Sequence, residues 1–215
     1  HNGSEAPEDS FTFKATNSDG DSNISTITIN VTAVNDAPTV AAIAKTVDEG
    51  SSVEITVVGA DAENDELTIT NNDPSNGTVT KDATTGIFTY THDGGETTSD
   101  SFTVTATEKA NTQNGGNNLL SGSGTVTITI TAVNDAPVVN VGAITVNEGG
   151  SGIGNFSATD ADNAKSTLTS SVTVNPSNGT VTISDNDIYS YTYTHDGSET
   201  TSDTFTYTVS DGSLS

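Results

Sequence analysis

The chain has no cysteine, no methionine and no tryptophan, and all five of its cations are lysines. Without cysteine there is no disulfide framework and no thiol chemistry. Without methionine the chain reads as an internal or processed segment of a longer product. Five cations against 29 acids leave a net charge of −24, which excludes binding to nucleic acid or to an anionic membrane by charge. Such a chain attracts cations instead. No apolar run approaches the roughly 20 residues of a membrane-spanning helix, so no membrane insertion is expected, and no signal peptide is visible. Hydrophobic residues make up only 31% of the chain, which would suggest disorder if they were scattered. They alternate instead.

What the chain does have is internal repetition. Thr-Ala-Val-Asn-Asp-Ala-Pro stands at 32–38 and again at 131–137, placing Asp36 and Asp135 99 residues apart. Pro74-Ser75-Asn76-Gly77-Thr78-Val79-Thr80 returns at 176–182, and Thr91-His92-Asp93-Gly94 at 194–197. His1-Asn2-Gly3 is a further copy of the last element. Asp-Ser/Thr-Phe occurs at Asp9, Asp100 and Asp203. This period divides the chain into a C-terminal strand pair of a preceding repeat (1–35), a complete repeat (36–135) and a repeat lacking its final strand (136–215).

Each repeat reads as strand. Thr125-Val126-Thr127-Ile128-Thr129-Ile130-Thr131 alternates with period two, threonines outward. In the complete repeat, strands are expected near 40–44, 52–58, 67–71, 78–81, 86–91, 101–106 and 124–131. Asp73 to Gly77 is expected to turn with Gly77 at positive φ. Asn111–Gly124 is expected to be a mobile surface loop. Short antiparallel strands at this density predict an all-β chain of tandem immunoglobulin-like sandwiches. The inward set should include Phe88, Tyr90, Phe102, Val104, Val126, Ile128 and Ile130, then Tyr191, Tyr193, Phe205, Tyr207 and Val209.

The acids cluster beside strand ends and keep the 99-residue spacing. In the complete repeat they are Asn35-Asp36, Asp48-Glu49-Gly50 and Asp61-Ala62-Glu63-Asn64-Asp65. In the last repeat they are Asn134-Asp135, Asn147-Glu148-Gly149 and Asp160-Ala161-Asp162-Asn163. One reading is that these residues stabilise turns and keep the surface soluble. The other is Ca²⁺. Three loops converging at one end of a sandwich would supply the roughly 6–8 oxygens that this ion takes. No Gly-x-Ser-x-Gly elbow is present, and a thin repeated sandwich without a tryptophan platform makes a poor glycosidase. No enzymatic activity is expected. The histidines, one per repeat, read as turn residues.

These motifs give the chain its resemblance to the bacterial cadherin-like tandem repeats of very large surface proteins, including RTX-type adhesins. It rests on Ala-Val-Asn-Asp-Ala-Pro, Glu-Gly, Asp-Ala-Asp/Glu-Asn, Asn-Gly-Thr-Val, Tyr-Thr-His-Asp-Gly and the segment 203–212, and covers nearly the whole chain. The resemblance implies cadherin-like sandwiches strung end to end outside the cell, with Ca²⁺ near the junctions. It implies a structural or adhesive extension whose partners are the neighbouring repeats, with any glycan or surface receptor met by other domains. The ligands carried over are Asp36, Glu49, Asp61 and Glu63, and Asp135, Glu148, Asp160 and Asp162. Ala164 stands where the complete repeat has Asp65. The complete repeat has Ala106-Thr107-Glu108 where the last repeat has Ser210-Asp211-Gly212, so it is expected to lack a ligand from that loop. An alternative role is self-assembly into an extracellular filament, in which identical chains add strands to one another.

Overall fold

The computed structural model describes residues 8–32, 34–110, 119–184 and 189–215. The motif copy at His1 and the greater part of the loop expected to be mobile, 111–118, lie outside them. The chain forms two compact units, 1–131 and 132–215. It is an all-β fold.

The first unit opens with β1 (Glu8–Phe13), β2 (Thr16–Asn17), β3 (Gly20–Asp21) and β4 (Ser25–Asn30). β1 and β4 pair antiparallel with Phe11 opposite Ile27, and nearly every residue of both strands is exposed. The complete repeat follows as β5 (Thr39–Val40), β6 (Ile43–Asp48), β7 (Ser52–Ile55), β8 (Gly59–Ala60), β9 (Leu67–Asn71), β10 (Gly77–Lys81), β11 (Phe88–His92), β12 (Ser99–Glu108) and β13 (Ser121–Thr131). One sheet runs β6-β13-β12-β9, and the facing sheet runs β10-β11-β7. β5 and β8 pair with each other. The seven expected strands are present, but the first is broken and the second is shorter than expected. The first splits because β5 pairs with β8 while β6 crosses to lie parallel to β13. The expected strand at 52–58 stops at Ile55 as β7, and β8 begins beyond its expected end.

Period-two alternation delivers the core. Phe88, Tyr90, Phe102, Val104, Val126, Ile128 and Ile130 are all buried and cluster with Val47 and Ile55. Each such side chain contributes roughly 1.5–3 kcal/mol relative to exposure. On β13 the expected Thr/Val/Ile alternation begins earlier than foreseen, at Ser121-Gly122-Ser123-Gly124. Glycine is required there because β5 and its approach cross the strand closely: a Cβ on Gly122 would lie 1.7 Å from the Pro38 carbonyl oxygen.

The Pro-Ser-Asn-Gly motif has a different cause from the one expected. Gly77 is not among the residues of positive φ. It is glycine because a Cβ would meet the Thr91 carbonyl oxygen at 2.4 Å and the Tyr90 ring at 2.9 Å. The Tyr90 hydroxyl donates to Asp100 Oδ2 at 3.0 Å, and the carboxylate also accepts from the amides of Ser75, Asn76 and Ser101. Burial pushes the Asp100 carboxyl up, but these donors outweigh it and hold it below the usual carboxylate range. The last repeat repeats the device with Tyr193, Asp203 and the amides of Ser177, Asn178 and Thr204.

The second unit contains β14 (Val138–Asn140), β15 (Ser151–Asn155), β16 (Ser157–Thr159), a 3₁₀ turn (Lys165–Thr167), β17 (Thr169–Val174), β18 (Gly179–Ile183), β19 (Ser190–His195) and β20 (Thr206–Ser210). Its sheets are β15-β19-β18, β17-β20 and β14-β16. Tyr191, Tyr193 and Val209 are buried as expected, whereas Phe205 and Tyr207 are only partly covered. Among the described residues no strand occupies the place that β13 holds in the first unit. Residues 141–148, which correspond to β6 and its flanks, therefore form no strand.

Candidate metal centre

Each unit gathers acids at the end where its sandwich begins. In the complete repeat, β12 ends at Glu108, which is 2% exposed. Its Oε2 accepts from Asn35 Nδ2 at 2.9 Å and from the Leu120 amide at 3.1 Å. The next linker residue, Asp36, donates its amide to Glu63 Oε2 at 3.3 Å. The linker is thus tied at successive residues to the end of β12 and to the loop after β8. Within that loop, Asp61 Oδ1 accepts from the amides of Glu63 (3.1 Å) and Asp65 (2.9 Å). Asn64 takes φ of 61° to allow the turn, and Asp65 is buried.

The second oxygen of each carboxylate carries the chemical information. Asp61 Oδ2, Glu63 Oε1 and Glu108 Oε1 are buried and have no hydrogen-bond partner among the described residues. Burying an anionic oxygen without a donor costs several kcal/mol. A hard cation that takes oxygen ligands removes that cost, and carboxylates are the ligands Ca²⁺ prefers. Oxygens of this kind are the ligands such an ion takes.

The last repeat reproduces the pattern. Asn134 Nδ2 donates to Asp211 Oδ2 at 2.5 Å, and the Asp135 amide donates to Asp162 Oδ2 at 2.7 Å. Asp160 Oδ1 accepts from the amides of Asp162 and Asn163, and Asp160 Oδ2 is buried without a partner among the described residues. Asp211 differs from Glu108 in being partly exposed and in accepting from the amides of Ser213 and Leu214. Those bonds, the Leu214 amide foremost and then Asn134, hold its carboxyl below the usual range.

Two expectations change. The complete repeat does carry, at the end of β12, an acid that matches one in the last repeat. With Phe102 matched to Phe205, Asp211 corresponds to Glu108, and both accept from the linker asparagine. Each acid stands six residues after its phenylalanine, a longer side chain in the complete repeat and a shorter one in the last. The second change concerns Glu49 and Glu148. The Glu49 amide donates to the Thr131 carbonyl, at the opposite end of β13 from the Glu108 cluster. β13 spans ten residue steps, roughly 33 Å at strand rise. Glu148 likewise precedes β15, whereas Asp160 follows β16. Within one sandwich the three acidic loops do not converge: two meet at one end and the Glu-Gly loop lies at the other.

The Glu-Gly loop has its own structural role. His92 Nδ1 accepts from the amides of Gly50 and Gly94, each at 3.2 Å, and Nε2 bonds Thr97 Oγ1 at 2.9 Å. His195 does the same with Gly149, Gly197 and Thr200. Both ring nitrogens are used in hydrogen bonds, so these histidines join two turns.

Two tandem immunoglobulin-like sandwiches, each with an acid-lined entry, define the class. The family model for the bacterial Ig domain matches residues 35–131 and 134–215, and the chain belongs to that family. No curated protein matches the sequence. Among solved structures, the extracellular cadherin domains 3–6 of protocadherin gamma B2 are 20% identical, with 94% of this chain and 56% of that chain covered and a TM-score of 0.48. Mouse cadherin-23 EC22–24 is 20% identical, covering 65% of this chain and 49% of that one, with a TM-score of 0.40. An endo-fucoidan hydrolase of glycoside hydrolase family 107 is 19% identical, covering 98% of this chain and 33% of that one, with a TM-score of 0.37. The chain therefore spans about half, or less, of the length of these structures. No helix among the described residues is long and apolar enough to cross a membrane.

Proposed function

We propose that this chain is a stretch of an extracellular structural or adhesive array, without enzymatic activity, in which Ca²⁺ fastens each linker to the sandwich that follows it. In the complete repeat the ligands are drawn from Asn35, Asp36, Asp61, Glu63, Asp65 and Glu108. In the last repeat they are drawn from Asn134, Asp135, Asp160, Asp162 and Asp211. Ca²⁺ supplies positive charge to carboxylate oxygens that lack donors. The chain's own residues do the positioning: Asn35 and Asp36 bridge Glu108 to Glu63, and Asp61 folds its loop through backbone amides. A linker held in this way has less freedom to bend, which suits a module that extends other domains from a cell surface. Receptor binding then belongs to domains elsewhere in the protein.

The observation that carries this reading is the set of buried, donorless oxygens on Asp61, Glu63 and Glu108, echoed by Asp160. Neither turn stabilisation nor solubility accounts for them, because both leave carboxylates hydrogen-bonded or hydrated. Titration calorimetry of the metal-stripped chain with CaCl₂, repeated in excess MgCl₂, tests it. Saturable Ca²⁺ binding that survives Mg²⁺ is expected. Heat that vanishes in Mg²⁺ would reduce the clusters to a diffuse counter-ion atmosphere.

A further inference from the structure

The acidic loops of the two repeats share one motif, but they are not equal. From Asp61 to Glu66 the chain carries four acids and no base, whereas from Asp160 to Lys165 it carries two acids and one lysine. The exchanges are Glu63 for Asp162, Asp65 for Ala164 and Glu66 for Lys165. The backbone differs with them. In the complete repeat Asp61 Oδ1 reaches the amides of Glu63 and Asp65, with Asn64 between them at φ of 61°. In the last repeat Asp160 Oδ1 reaches the amides of Asp162 and Asn163, so the loop closes one residue sooner. The chain then enters the 3₁₀ turn, where the Ala164 carbonyl accepts from the Thr167 amide at 2.9 Å.

Charge and burial differ in the same direction. Asp65 is 8% exposed. An acid buried in the same loop as Asp61 and Glu63 adds to the field that draws a cation, whereas the exposed Ala164 adds nothing. Glu66 is paired at the surface with Lys109, so it adds little. Lys165 holds its ammonium 4.0 Å from the centre of the Tyr189 ring, and a positive charge fixed directly after the loop works against a second cation. The donorless oxygens follow the same order. Among the described residues, Asp61 Oδ2 and Glu63 Oε1 are buried without a partner in the first loop, against Asp160 Oδ2 in the second. Glu108, 2% exposed and tied to the linker, adds its Oε1 to the first set.

We propose that the two sites fill at different Ca²⁺ concentrations, the complete repeat first, and that the exchange of Asp65 for Ala164 sets the order. This rests on the Ca²⁺ reading above. Affinity for this ion follows the number of charged ligands and the rigidity of the site. The complete repeat has one loop carboxylate more, and it has no lysine directly after the loop. Asp65 also contributes its backbone amide to the hold on Asp61, so the loop that carries the extra charge is fixed by its own side chains. In an array of such repeats the linkers are fastened in steps. At low Ca²⁺ the linkers before loops of the Asp65 kind are tied to their sandwiches. Those before loops of the Ala164 kind stay loose until the concentration rises. The residue at this one position sets which linkers bend at a given Ca²⁺ level.

The test is calorimetric titration of the metal-stripped 215-residue chain with CaCl₂, run on the parent and on D65A, A164D and E108Q. The parent should show two phases whose dissociation constants differ by at least about ten-fold. E108Q should weaken the tighter phase alone, which assigns that phase to the complete repeat. D65A should weaken the same phase by about ten-fold and bring the two together. A164D should strengthen the weaker phase, a gain that misfolding cannot imitate. Circular dichroism in EDTA checks that each variant is folded. A single phase from two equal sites overturns the proposal while leaving Ca²⁺ binding intact. So does a weaker phase that E108Q removes, or a pair of affinities that neither D65A nor A164D moves. A parent with no saturable binding overturns the Ca²⁺ reading itself, and the proposal falls with it.

Discussion

Replacing Glu108 by glutamine separates a cation site from a turn most sharply. The side chain is 2% exposed, and among the described residues Oε2 takes two donors and Oε1 takes none. Glutamine keeps the size and one acceptor oxygen while removing a buried charge from an acidic cluster. In EDTA, E108Q should therefore be at least as stable as the parent. In Ca²⁺ the order should reverse. At a free concentration 100 times Kd, an ion that binds only the folded state adds about 2.7 kcal/mol. For a sandwich of this size, that is a rise of about 11–22 °C in Tm. If loss of one carboxylate weakens binding about ten-fold, the gain at the same concentration falls to about 1.4 kcal/mol, or about 6–11 °C. Scanning calorimetry of both proteins, with EDTA and with CaCl₂, reads all four values. Equal Ca²⁺-dependent rises in parent and variant would refute the assignment of Glu108, as would a variant clearly less stable than the parent in EDTA.

Three further outcomes follow from the fold. Asp100→Asn should cost about 2–4 kcal/mol in urea unfolding, because an amide nitrogen would face the donors that the carboxylate accepts. The Asp100 carboxyl titrates below its unfolded value of about 3.9, so its stabilisation is present above that pH and is lost as pH falls through the folded value. Acid unfolding curves of parent and D100N should accordingly converge below about pH 4; curves that stay parallel would remove Asp100 as a source of pH dependence. Gly122→Val should destabilise the complete repeat by about 1–3 kcal/mol or more, since its side chain meets the Pro38 carbonyl, and an unchanged Tm would contradict the close crossing of β5. His92→Ala strips the acceptor from two glycine amides and should cost about 2–4 kcal/mol, with no effect on Ca²⁺ affinity measured by calorimetry.

The sandwich was legible in the sequence because strand alternation is a local signal. Val126, Ile128 and Ile130 could face only one way, and the structure buries all three. The break between β5 and β6 was not legible, since it arises when a strand changes sheets, which depends on partners distant in sequence. Gly77 was assigned to the wrong cause for the same reason: its constraint is the Tyr90 ring, not its own turn. In the acidic site, the linker and the Asp61 loop could be paired by their shared spacing. Glu108 escaped because its counterpart is the shorter Asp211, and a one-residue change of register conceals such a pair in a single sequence. The cue was available in the matching Phe102 and Phe205. That Glu49 and Glu148 lie at the other end of their sandwiches from the Asp61 and Asp160 loops was not legible, because spacing along the chain does not say at which end of a strand a loop lies; at that end Glu49 stands within 4.8 Å of Glu96.

The central claim is that the acids at the start of each sandwich hold Ca²⁺ rather than merely dress turns. Thermal unfolding of this chain in EDTA, in CaCl₂ and in MgCl₂ at equal ionic strength tests it most directly. The account predicts a Tm that climbs with Ca²⁺ concentration and hardly moves with Mg²⁺, because several charged oxygens around a spacious site suit the larger ion. The same small rise with both ions would be charge screening, and it would contradict the metal centre while leaving the sandwich fold intact.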